Sequence, residues 1–245
     1  MARVVRLRDV TAEMATQRDM RAFHHLLEHK LHTTLNHMLG TMTVLADDSD
    51  VMSHEEIVSW ARDGLAGVER LQSEIEDILQ YLSAFELGEV RTGFPLAAFP
   101  AVLDRIAREY GVPAVTVLVQ DDLDVTWIGL SSQAVELMVG ELIENAKKFH
   151  PTHTPTIQVR VSSPTPGQVH LQFCDNGLTL SPEQLTNVWT PYYQGEKYFT
   201  GEAQGMGLGL ALVATLVWNV GGTCTLSNQA DGSGVVVGLL VPLVK

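Results

Sequence analysis

From Ile57 to Phe85, apolar or small residues recur as Ile57, Ala61, Gly64, Val68, Leu71, Ile75, Ile78, Leu82 and Phe85, stepping by alternating four and three. A 3.5-residue repeat held over four heptads is foreign to a strand, whose faces alternate every two residues, and predicts a long helix with one apolar seam. Ser53, followed three residues later by Glu56, supplies a capping box at its start. The preceding stretch behaves alike. From Thr11 to Ala46 there is no proline and the only glycine is Gly40, while Met20, Phe23, Leu27, Leu31, Thr34 or Leu35, Met38, Met42 and Leu45 recur at helical spacing. Asp47-Asp48-Ser49-Asp50 breaks the pattern with turn formers. Residues 11–88 therefore read as a helical hairpin, and two such helices cannot bury both their faces alone. The economical solution is two hairpins joined as a four-helix bundle in a homodimer; a monomeric hairpin packed on the rest of the chain is the alternative.

Gly88 to Pro100 is punctuated by Gly and Pro, with residues 89–98 read as a linker, and beyond it the pattern changes. Pro100–Tyr110, Ser131–Phe149 and Gly207–Val220 read as helices. Ala114–Val119, Thr156–Val161, Val169–Phe173, Thr223–Ser227 and Val235–Leu240 read as strands. The fold class is thus α+β: a helical hairpin, then a two-layer α/β sandwich over residues 99–245. At the other end, Val4 to Arg8 alternates in strand fashion before the helical pattern begins. Residues 1–10 resemble the tail of a PAS-type sensor domain, which implies an upstream sensor as partner.

At 245 residues and 45% hydrophobic content the chain can build its cores without staples. Its net charge of -13 argues against a nucleic-acid partner, because polyanion binding needs clustered Lys and Arg. Any phosphate must be gripped locally. Cys174 and Cys224 lie in separate apolar stretches without a CxxC or a nearby His, and read as reduced core residues. The most apolar segment, Met206–Trp218, is shorter than the roughly 20 residues that span a bilayer, and no signal peptide is apparent, so the expected location is cytoplasmic with no membrane segment.

Three segments carry the chemistry. In Glu141-Leu-Ile-Glu-Asn145-Ala-Lys-Lys148-Phe149, Glu141, Asn145 and Lys148 fall on one helical face, offering an oxygen ligand for magnesium and a cation for phosphate. Asp175-Asn176-Gly177 ends a strand in a turn, leaving a carboxylate at a pocket floor. Gly201, Gly205, Gly207 and Gly209 surround Phe199 and Met206 and lead into an apolar helix. Such glycines let backbone N–H groups approach phosphates at a helix N-terminus, and the segment can close as a lid.

In this order, with Val188-Trp189-Thr190-Pro191-Tyr192-Tyr193 between the second and third, the segments resemble the ATPase domain of sensor histidine kinases, over residues from about 92 to 245. The resemblance implies a Bergerat-type sandwich that binds ATP with magnesium. Asn145 would hold the metal, Lys148 and the glycine segment the phosphates, and Asp175 the adenine amino group. Phe149, Gly177, Tyr192, Gly205, Gly207, Leu208 and Gly209 would complete the nucleotide site, with Glu141 among the catalytic residues. The family usually has Gly two residues after Gly177, where this chain has Thr179.

His24, His25, His29, His32 and His37 crowd the first helix, but no carboxylate or Cys array accompanies them at metal-ligand spacing. His29 stands out by its frame: Phe23 six before, Leu31 and Leu35 two and six after, Gly40 eleven after. That frame resembles the phosphoacceptor box of dimerising histidine-kinase bundles. His29 lies off the Leu27/Leu31 stripe and is expected to face solvent. Lys30 stands where the family has an acid; an ammonium cannot accept a proton, but it can depress the His29 pKa and attract the γ-phosphate. His32 replaces the usual basic residue and Thr34 the usual Pro. Thr33, four after His29, fits the position from which family members align water for regulator dephosphorylation. The leading function is a dimeric histidine kinase core that phosphorylates His29 and passes the phosphoryl group to the receiver domain of a response regulator. A pseudokinase scaffold, a phosphatase-biased sensor and a plain ATPase with Glu141 as base are the alternatives.

Overall fold

The computed structural model describes residues 11–87, 93–112, 114–120, 123, 126–194, 205–230 and 232–244, with side chains from Leu27 onward. The proposed PAS-like tail, Phe199 and Gly201 lie outside them. Two compact units emerge, one ending at Glu76 and one beginning at Asp77.

The first unit holds helix α1 (Thr11–Asp48) and most of helix α2 (His54–Leu87). The capping box forms at the start of α2: the Glu56 N–H donates to the Ser53 hydroxyl at 3.2 Å and the Ser53 N–H to the Glu56 carboxylate at 2.8 Å. Small residues on α2 admit the long side chains of α1. A Cβ at Gly67 would fall 2.6 Å from Met38 Cγ, and one at Gly64 would collide with Met42 Cε. Deeper in the hairpin, the buried Thr34 hydroxyl donates to the buried Glu74 carboxylate at 3.0 Å. Val68 and Ile75, on the sequence-defined seam, are each 44% exposed, and Leu39 and Leu65 are also exposed. The face of α2 that meets α1 therefore keeps Gly64 of that seam and takes Gly67 and Glu74 in place of Val68 and Ile75.

The second unit is a mixed sheet with helices against it. Its elements are β1 (Phe94–Pro95), a single 3-10 turn, α3 (Phe99–Glu109), β2 (Val115–Val119), β3 (Trp127–Ile128) and α4 (Ser132–Lys148). Then come β4 (Ile157–Ser162), β5 (Gln168–Asp175), α5 (Pro182–Asn187), α6 (Gly209–Asn219), β6 (Thr223–Asn228) and β7 (Val235–Val244). The strand order is β1-β3-β7-β5-β4-β2, with β6 also paired to β7; β2 and β4 are parallel and the other pairs antiparallel.

Alternation fixes the inward face. Val159 and Val161 stand opposite Phe173 and Leu171, and Leu171 and Phe173 stand opposite Leu239 and Val237, all buried. Against this face lie Phe99, Leu103 and Ile106 of α3, Met138, Val139 and Ile143 of α4, and Leu212, Val213 and Leu216 of α6, all buried; Phe99 meets Phe173 edge-on at 6.3 Å. Ser131 caps α4 by accepting from the Ala134 N–H at 3.1 Å. The last turns of α2 belong to this unit too: buried Tyr81 hydrogen-bonds Thr215, and the Asn219 amide donates to the Ala84 carbonyl at 3.2 Å. The segment after Gly93 is part of this core, with Phe94 and Leu96 buried. β7 runs four residues past the expected Leu240, because Leu243 and Val244 pair with Ile128 and Trp127.

The Thr34–Glu74 bond is the polar tie across the hairpin. Replacing Thr34 with Val leaves a buried carboxylate without its donor, and should lower stability by about 1–3 kcal/mol, read as a fall in the urea midpoint at pH 7 with an unchanged slope.

Candidate functional site

Helix α4 places Glu141, Asn145 and Lys148 along one side, and the start of α6 approaches that side closely. A Cβ at Gly209 would collide with the Glu141 carboxylate and fall 3.4 Å from Asn145 Nδ2. A larger residue at the first position of α6 would displace the Glu141 carboxylate. The Asn145 amide nitrogen is buried with no hydrogen-bond partner among the described residues, a costly condition unless a ligand completes it.

Helix α6 has no side-chain cap, and Leu208 stands at its N-cap. Its first-turn N–H groups lack intrahelical acceptors and carry the positive end of the helix dipole, which favours an anion there. Gly205 and Gly207 hold left-handed φ of +99° and +73°. At Gly207 a side chain is excluded twice, because a Cβ would lie 2.8 Å from the Tyr193 carbonyl. The Tyr192 N–H donates to the Gly207 carbonyl at 2.9 Å and the Gln194 amide to the Gly205 carbonyl at 2.6 Å. Tyr192 itself adopts φ 63°, unusual for a side-chain-bearing residue, and burial raises its phenol pKa. A Cβ at Gly205 would lie 3.2 Å from the Lys148 ammonium, which also sits 5.3 Å from the centre of the Phe149 ring.

Asp175 has the inward parity of Leu171 and Phe173, so its carboxylate lies where the core face of β5 ends. The Gly177 N–H donates to Asp175 Oδ1 at 2.8 Å and the Val235 N–H donates as well; burial nevertheless raises the carboxyl pKa. Gly177 is pressed against the Phe149 carbonyl at the end of α4, with 3.1 Å available to a Cβ there, so Asp175 and Asn145 lie toward one helix. Three supports were not legible in sequence. The Gln229 amide donates to the Asp175 carbonyl, the Asn228 side chain bonds both the N–H and the carbonyl of Leu180, and a Cβ at Gly234 (φ +101°) would collide with Asp175. Thr179 is exposed.

The structure thus gathers Glu141, Asn145, Lys148, Phe149, Asp175, Gly177, Tyr192, Gly205, Gly207, Leu208 and Gly209 within one unit. His29, Lys30 and Thr33 belong to the hairpin. There His29 is exposed, Lys30 half-buried, and the Thr33 hydroxyl donates to the His29 carbonyl at 2.8 Å. Among the described residues no group of three or more His, Cys, Asp or Glu is placed to hold a metal, so a cation here would need nucleotide oxygens besides the protein. An Asn side chain beside an anion-seeking helix terminus fits such a nucleotide-bound magnesium ion. No described helix is long and apolar enough to cross a membrane.

Residues 131–245 match the family model of the histidine kinase-, DNA gyrase B- and HSP90-like ATPases. Along its length the chain is 28% identical over 229 residues to the autoinducer 2 sensor kinase/phosphatase LuxQ of Vibrio cholerae, covering 89% of this chain and 26% of LuxQ. It therefore spans about a quarter of that relative. Among solved structures, ShkA in complex with AMPPNP superposes with a TM-score of 0.58 at 20% identity, covering 89% of this chain and 46% of ShkA. The histidine kinase ThkA, solved with the response regulator TrrA, gives 0.61 at 15% identity, covering 96% and 62%. Residues 131–245 of the sandwich thus carry the ATPase-family match, and along its length the chain is similar to proteins named as sensor kinases.

Glu141 offers a test of the site's dryness. Burial pushes its carboxyl up from 4.5 to about 7, helped by the charges of Glu144 and Asp77 and opposed by Lys148. The folded chain therefore holds a proton that the unfolded chain gives up near pH 4.5. The folding penalty is absent below that pH, grows as pH rises to about 7, and is constant above. Glu141→Gln should remove this penalty, up to about 3 kcal/mol, raising Tm relative to the parent at pH 8 while leaving the two alike at pH 4.

Proposed function

We propose that this chain is the catalytic core of a two-component sensor histidine kinase, in which ATP bound to the sandwich phosphorylates His29 and the phosphoryl group then passes to an Asp of a response regulator. The observation that carries the reading is the buried, unpartnered Asn145 amide beside the uncapped first turn of α6. A site of that kind is unfinished without a phosphate-bearing ligand. The AMPPNP carried by ShkA and the regulator carried by ThkA support nucleotide and partner in turn.

Each residue takes a role that its surroundings suit. Asp175, held by the Gly177 and Val235 N–H groups, retains lone pairs to accept from the adenine amino group. Lys148 and the N–H groups around Gly205–Gly209 hold phosphate oxygens, and Phe149, Gly177 and Tyr192 flank the nucleotide. Asn145, with the phosphates, would hold a magnesium ion, which would supply charge neutralisation on the transferring group. The exposed imidazole of His29 attacks the γ-phosphorus: an N–P bond forms, the bond to the bridging oxygen breaks with its electron pair leaving on ADP, and the ring proton passes to water. Lys30 supplies positive charge beside the attacking ring but no base, so positioning rather than proton abstraction supplies most of the rate. Glu141, protonated up to about pH 7, is suited to donating a hydrogen bond in this dry corner rather than to activating water.

The exposed seam of Leu39, Leu65, Val68 and Ile75 supports pairing of two hairpins into a four-helix bundle, with an upstream sensor acting on it. The Thr33 hydroxyl, bonded to the His29 carbonyl, keeps lone pairs for a water, which suits regulator dephosphorylation as a second activity. Lys30 favours the rival reading of an inactive scaffold or phosphatase-biased sensor.

Incubation with magnesium and γ-labelled ATP should give acid-labile, alkali-stable label on the parent chain and none on His29→Ala. That label should be lost on addition of the cognate receiver domain. Nucleotide binding without any label would instead establish the scaffold or phosphatase reading.

A further inference from the structure

One of the N–H groups assigned above to nucleotide phosphate already donates to an anion from this chain, with the Lys148 ammonium close by. The Met206 N–H donates to Asp77 Oδ2 at 3.1 Å. The same oxygen lies 3.8 Å from where a Gly205 Cβ would stand, and the Lys148 ammonium lies 3.2 Å from that point. Met206 is fully buried and Asp77 half-buried, so the contact is partly shielded from water. Asp77 is near enough to Glu141 and Glu144 for its charge to raise both their pKa values.

We infer that Asp77 is an autoinhibitory residue: its carboxylate stands in for a nucleotide phosphate at the glycine segment, and ATP must displace it to seat its own phosphates beside Met206 and Lys148. The inference rests on the reading of this site as an ATP site and adds its regulation. Two full anions cannot share one N–H and one ammonium without repulsion in a partly dry setting. Nucleotide binding and the Asp77–Met206 bond are therefore mutually exclusive, and the bond lowers apparent affinity by the fraction of molecules that hold it. The residue is well placed for control. Asp77 lies on helix α2, which is unbroken from His54 to Leu87.

Calorimetric titration of the whole chain with AMPPNP and magnesium tests this. Asp77→Asn and Asp77→Ala should each bind at least about fivefold more tightly than the parent, while affinity for adenosine, which has no phosphate, stays the same. Glu76→Gln removes a like charge one residue away without touching Met206, and should leave AMPPNP affinity unchanged. Two variants guard against misfolding, checked by circular dichroism. If the parent binds AMPPNP and both Asp77 variants bind equally or more weakly, the inference is overturned and the ATP site stands. An equal gain in Glu76→Gln overturns it too, by showing a general charge effect. If none of the chains binds nucleotide, the ATP reading itself falls and the inference with it.

Discussion

The closeness of the first turn of α6 to α4 is the constraint on which the rest of the site depends. Gly209 lets the uncapped end of one helix rest against Glu141 and Asn145 of the other, whose carboxylate and amide ends a side chain there would displace. That approach dehydrates Glu141 and leaves the Asn145 amide nitrogen buried beside the uncapped first turn of α6. A dry carboxyl, an unpartnered amide and a helix terminus are each unfavourable alone. Together they make a place where an anion with its counter-ion is stabilised.

The sheet supplies the other end. The inward alternation of β5 continues past Phe173 to Asp175, so a parity that buries valine and leucine also delivers a carboxylate to the rim of the core. Gly177 and Gly234 then let backbone press against that residue from both sides. The proposed base-reading and phosphate-binding ends are thus held by α4 and β5, elements anchored in the buried core.

Much of this was legible in sequence because the decisive signals were local. The α4 face, the Asp175 turn and the glycine segment each lie within nine residues or fewer, and the long helices announced themselves by period. What stayed hidden depended on distant partners. Two-residue strands such as β1 and β3 are too short to show a period, and β7 continues past Leu240 because β5 pairs it through Pro242 and β3 pairs Leu243 and Val244. The α2 pattern superposed two faces, one meeting α1 and one left exposed, and the buried Glu74 disguised the first. Asp77 reads in sequence as one more acid on a solvated helix face; its partner Met206 lies 129 residues later. Gln229 and Gly234 were invisible for the same reason.

The central claim is that the α4–α6 junction is where nucleotide phosphate binds. Backbone amide resonances followed by NMR during titration with AMPPNP and magnesium test it most directly. The account predicts that the Met206, Gly207, Leu208 and Gly209 amides move most, together with the Asn145 side-chain amide, and that the four backbone amides stay in place in Asn145→Ala. Saturable binding that shifts amides elsewhere and leaves these five signals unmoved would contradict it.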